Sequence, residues 1–127
     1  MSEASDIMVN TNVLLDVVEA DPIWQEWSLT QMSQFPGRLI INPMIYTELS
    51  YRAEGIEDVE RLIASLGLKF QELPREALFL AAKAYKAYRK RGGTQTAPPA
   101  DFLIGAHAAV LEVPLLTRDV ARYRTNF

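Results

Sequence analysis

The chain has 127 residues, 49% of them hydrophobic and 23% charged, with a formal net charge of -3. This is an ordinary globular composition sized for one domain and too apolar for disorder, and its acidity argues against a surface that coats nucleic acid broadly. It contains no cysteine and a single histidine, His107, which excludes a disulfide framework, a thiolate nucleophile and a multi-histidine zinc site. No stretch approaches the roughly 18 apolar residues of a membrane span. Met1 to Asp6 is acidic, unlike the basic and then apolar pattern of a secretory signal, so the expected location is the cytoplasm, away from any membrane.

Ile7-Met8-Val9 reads as a buried central strand, and Asn10-Thr11-Asn12 ends it with three short polar side chains suited to capping a helix. Val13 to Glu19 reads as a short helical turn. Asp21-Pro22 restarts the chain into a helix over 23–35, whose Trp24, Trp27 and Phe35 have only partly helical spacing, so that one side is expected to stay exposed. Arg38 to Ile41 is a second strand, followed by a helix over 43–51 that carries Glu48. The next helix opens at Gly55, buries Val59, Leu62, Ile63 and Leu66 at the 3.6-residue period, and ends at Gly67.

Leu68 to Leu73 alternates in the manner of an outer strand, and Pro74 starts the longest helix, with Leu78, Ala81, Tyr85 and Tyr88 as its apolar stripe. Basic residues gather at Lys83 to Arg91 and again at Arg118 to Arg124. Either group would make a local basic patch, the first also being favoured by the helix dipole. Gly92 to Pro99 is a loop. Ala100 to Leu111 is a helix with Phe102, Leu103, Ala106, Ala109 and Val110 on its apolar face, Gly105 for close packing, Asp101 in its first turn, and His107 held by packing or a local hydrogen bond. Val113 to Leu116 returns to the sheet and Thr117-Arg118-Asp119 closes it in polar groups. One helical turn over 120–123 and a last extended piece over 125–127 complete a chain whose alternation of strand and helix predicts a mostly parallel sheet in an α/β fold.

The string Val9 to Asp16, Glu48 in Thr47-Glu48-Leu49, Asp101 in Asp101-Phe102-Leu103-Ile104-Gly105-Ala106, and Asp119 in Leu116-Thr117-Arg118-Asp119 together resemble a PIN domain of the VapC toxin type. The resemblance runs over nearly the whole chain. It implies a single domain over 1–127, a three-layer sandwich with a central sheet flanked by helices, and a ribonuclease toxin that forms a homodimer and is inhibited by a cognate antitoxin. It further implies that Asn10, Glu48, Asp101 and Asp119 stand at the family's metal-binding positions. Thr11, Asn12 and Thr117 match the small polar residues that support them. The family has an aspartate at the first position, where this chain has Asn10.

Carboxylates brought to one place repel one another unless a cation lies between them. An all-oxygen ligand set selects magnesium or manganese, and such an ion serves phosphodiester hydrolysis. Asn10 keeps the size of an aspartate and removes its charge, so the expectation is an RNA nuclease weakened or silenced at that position, whether by natural loss or by deliberate replacement. Two alternatives share the fold: a non-catalytic module binding RNA or antitoxin, and a housekeeping RNA-processing nuclease. A phosphatase whose first strand ends in Asp-x-Asp would lack both carboxylates, at Asn10 and Asn12. A receiver domain would lack its lysine, since Arg118 is a poor substitute. A dinucleotide-binding fold would lack a glycine-rich turn.

Overall fold

The computed structural model describes residues 5–94 and 100–127. Met1 to Ala4, and residues 95–99 of the expected loop, lie outside the described residues. The strands are β1 (Ile7–Val9), β2 (Leu39–Ile41), β3 (Lys69–Phe70) and β4 (Leu115–Leu116); the helices are α1 (Thr11–Val18), α2 (Gln25–Ser33), α3 (Pro43–Ser50), α4 (Ile56–Leu66), α5 (Arg75–Lys90), α6 (Ala100–Leu111) and α7 (Val120–Asn126). All strand pairings are parallel, in the order β3-β2-β1-β4, with Met8 opposite both Ile40 and Leu115. Helices flank this sheet, giving the α/β sandwich expected.

β1 is central and fully buried, and so is β2. Their side chains join Val13, Leu14, Ile45, Leu49 and Ile104 in the main core. Because strand order reverses direction at β1, between β2 and β4, the carboxyl end of β1 is the switch point where an open parallel sheet leaves a crevice. Three adjacent strands end there on buried polar residues: Asn10 after β1, Asn42 after β2 and Thr117 after β4. Asn42 Oδ1 accepts from the Ile45 amide at 3.0 Å and so caps α3.

Four local expectations are revised. α1 starts at Thr11, because Asn10 itself caps it, and β3 is only two residues long and exposed at both, since it is an edge strand. In α5 the buried positions are Ala77 and Ala81, one turn apart. Leu78 lies off that line and stays exposed; small residues let α5 approach α6 closely, and Tyr85, Tyr88 and Phe102 fill the margin. In α6 Ala109 is exposed, while Ile104, Gly105 and His107 are buried.

The C-terminal piece is helical rather than extended. α7 runs to Asn126, which brings the Phe127 ring against Gly105 so closely that a Cβ at Gly105 would lie 2.6 Å from it. The close packing expected of that glycine is thus used, by the chain's own last residue. Trp24 and Trp27 meet edge to face at 5.7 Å and remain partly exposed, on the open side that their spacing allowed, and not as the ordinary core residues that tryptophans more often are.

Candidate active site

Asn10 ends β1 with its backbone N–H on the Leu116 carbonyl of β4. Its side chain is committed on both sides: Oδ1 accepts from the Thr11 amide at 2.8 Å, and Nδ2 donates to Thr117 Oγ1 at 2.9 Å. Thr117 Oγ1 also accepts from the Asp119 amide at 3.0 Å, so the ends of β1 and β4 are joined through one hydroxyl. On α1, Thr11 donates its hydroxyl to Glu48 Oε1 at 2.5 Å, tying the first turn of α1 to α3.

These residues border a cavity of about 630 Å³ lined by Asn10, Thr11, Asn12, Glu48, Asp101 and Asp119, with Arg52, Arg122 and Tyr123 among its other walls. Three carboxylates separated by 71 positions in sequence therefore share one space, and Thr117 stands behind it through its bond to Asn10. Arg122 approaches Asp101 at 3.7 Å, too long for a hydrogen bond. Tyr123 reports the acidity of the cavity from within. Its phenol is pushed well above the ordinary tyrosine range by burial, and then by the charges of Asp101, Glu48 and Asp119, with Arg122 acting in the opposite sense.

Sequence reasoning missed Tyr123. It lies four residues after Asp119, hence on the same side of a helix, a spacing that carries no weight when only one turn is expected there. Arg118 was grouped with a basic patch, and the structure corrects this. Its guanidinium grips Asp16 with two bonds of 2.8 and 2.9 Å, Ser28 donates to the same carboxylate at 2.8 Å, and the guanidinium lies over the Trp24 ring at 4.9 Å. His107 is fully buried, with Nδ1 facing Asn42 Nδ2 at 3.2 Å. The Asn42 oxygen is already engaged at Ile45, so Nδ2 is the donor and His107 accepts through an unprotonated Nδ1. Burial lowers its pKa, which makes it a neutral structural group.

A hard cation fits this donor set in kind. All the ligands available in the cavity are oxygens, and Asn12 Oδ1, on its wall, is a buried acceptor that no group among the described residues satisfies. The fit is incomplete. Among the described residues no three metal-ligating side chains are gathered closely enough to hold an ion, and the amide at position 10 brings no charge.

The family model for the PIN domain matches residues 7–127. A search of curated protein sequences found no significant match. Among solved structures, the chain is similar to the DNA-bound VapBC complex from Salmonella typhimurium, at a TM-score of 0.68 and 18% identity over 96% of this chain and 92% of the other. It is similar to a toxin-antitoxin complex from Klebsiella pneumoniae, at 0.70 and 16% over 91% and 88%. It also resembles VapC20 of Mycobacterium tuberculosis, described as a sarcin-ricin loop cleaving toxin, at 0.63 and 12% over 92% and 94%. With the parallel sheet, the switch-point cavity and the matched family model together, the chain belongs to the PIN domain family.

Proposed function

We propose that this chain is built as a metal-dependent endoribonuclease of the toxin-antitoxin type, and that Asn10 leaves it weakened or inactive. The observation that carries the reading is the meeting of Glu48, Asp101 and Asp119 in one cavity at the carboxyl end of β1. Members of the PIN family generally use divalent metal ions; Glu48, Asp101 and Asp119 line the cavity and are the side chains that would have to draw together around magnesium or manganese, with position 10 as the missing fourth ligand. When bound, such an ion polarises a phosphodiester and lowers the pKa of an attacking water.

The chain's own residues supply orientation. The Thr11 hydroxyl fixes the Glu48 carboxylate, the Thr117 hydroxyl fixes the Asp119 backbone, and Arg122 at the rim of Asp101 offers a cation to an incoming phosphate. An aspartate at position 10 would keep its bond to the Thr11 amide. The Thr117 hydroxyl, which now accepts from Asn10, would then donate to the new carboxylate. Asn10 reverses that last bond and withdraws one charge, which weakens any cation held there.

By likeness to the toxin-antitoxin complexes, an antitoxin protein is a partner; an RNA substrate and a second copy of the chain follow only from the resemblance of the sequence motifs to VapC-type toxins. No described helix is long and apolar enough to cross a membrane, and the cytoplasm is the proposed location. The test is magnesium-dependent cleavage of RNA by the Asn10→Asp variant against the unchanged chain. A gain of at least two orders of magnitude is expected, abolished by adding Asp101→Asn; equal and negligible activity in both proteins would overturn the reading in favour of a non-catalytic binding module.

A further inference from the structure

The carboxylate cavity has a neighbour of opposite character. Arg122, whose side chain is 57% exposed, lines that cavity and also borders a second depression of about 480 Å³ between the end of α5 and α7. The other walls of this depression include Tyr88, Arg91, Gly92, Thr125 and Asn126. None of its lining residues among those described is acidic, in a chain whose acids outnumber its bases by three.

Its two guanidiniums are held differently. Arg91 donates from Nη2 to Asn126 Oδ1 at 2.6 Å. That bond uses one of five N–H donors and fixes the group against α7. Among the described residues, the Arg122 guanidinium has the loose approach to Asp101 as its one ion pair. Gly92 turns the chain with φ +93, and Gly93 lies so close to Tyr88 that a Cβ there would sit 2.2 Å from the ring. One wall is therefore bare backbone drawn tight against an aromatic side chain.

Taking the nuclease reading as its basis, we infer that this depression binds the backbone phosphate adjacent to the one in the carboxylate cavity. The ligand class is a single RNA strand, gripped by Arg91 and Arg122. The physical need is plain: an acidic cavity repels a polyanion, and flanking cations must offset that repulsion for a strand to enter. Guanidiniums suit phosphate oxygens because they present paired donors in a fixed fork. Arg122 touches both spaces and thus marks the route between them. An open depression of this size accepts a nucleotide or two of single strand, and phosphate contacts there set position rather than sequence.

The experiment is fluorescence anisotropy of a labelled single-stranded RNA 12-mer with the unchanged chain and EDTA present, so that binding is read without cleavage. Arg91→Ala and Arg122→Ala are each expected to weaken binding about fivefold and to reduce the salt slope by about 0.7, the value for one single-strand phosphate contact. Arg61→Ala, at a residue paired with Asp58 on α4, is the control expected to bind as the unchanged chain does. Binding that survives intact in both Arg91→Ala and Arg122→Ala overturns the depression as a subsite and leaves the nuclease reading standing. Displacement of the RNA by an oligoglutamate of equal charge, as effectively as by unlabelled RNA, overturns it too. If the unchanged chain binds no RNA at all, the inference and the nuclease reading fall together.

Discussion

Asp16 and the three cavity acids Glu48, Asp101 and Asp119 are treated in opposite ways. Asp16 is 3% exposed and meets a full complement of partners inside the chain, the Arg118 guanidinium by two bonds and the Ser28 hydroxyl by a third. Glu48, Asp101 and Asp119 border a cavity, and among the described residues the one cationic group within 4.0 Å of any of their carboxylates is Arg122, at 3.7 Å from Asp101. An acid whose charge is matched within the chain belongs to the fold. Under the proposed function, the acids that line the cavity without so close a partner are the ones left to meet a cation from outside.

That contrast is open to attack first on its structural side, where the effect is largest. Arg118→Leu strands a buried carboxylate at Asp16, and urea denaturation is expected to reveal a loss of about 3 kcal/mol, the low end for a broken buried pair because Arg118 keeps some contact with water. A loss below about 0.5 kcal/mol, the range of an ordinary surface change, would erase the distinction between the two sets. Third in line is Glu48→Gln on the cavity side, expected to stay within about 0.5 kcal/mol of the unchanged chain or to stabilise it, since one of three neighbouring charges is removed.

The second test is His107, read through its response to pH. Its pKa is lowered in the fold, so the unfolded chain binds the proton first as pH falls. The stability gained by burying a neutral imidazole is therefore complete above the unfolded value of about 6.5 and is lost progressively below it. Unfolding free energies at pH 7 and pH 5 are expected to differ more for the unchanged chain than for His107→Gln. Equal differences would assign the acid sensitivity to other groups.

What was legible in the sequence follows the range of the interactions. The apolar run Ile7 to Val9 broken by Asn10 is a local signal, and it correctly located both the central strand and the end of it where the cavity opens. The burial of α4 through Val59, Leu62 and Ile63 was equally local. By contrast, the places of Glu48, Asp101 and Asp119 near helix starts or strand ends showed only that each could reach the same edge of the sheet, and the resemblance was needed to assign them to one site. The Asp16 to Arg118 pair spans 102 positions, with nothing in either neighbourhood to announce it; hence Arg118 was read as surface charge. Tyr123 and the helical course of 124–126 escaped because a short polar run has little propensity of its own, and its helix depends on the docking of Tyr123 and Phe127 against α6.

The reading of the cavity stands or falls on position 10. Calorimetric titration with manganese chloride, run side by side on the unchanged chain and Asn10→Asp, is the direct measurement. The account predicts stoichiometric binding by Asn10→Asp at least tenfold tighter than by the unchanged chain, a difference of about 1.4 kcal/mol. Equal affinities, or no heat from either protein, would contradict it.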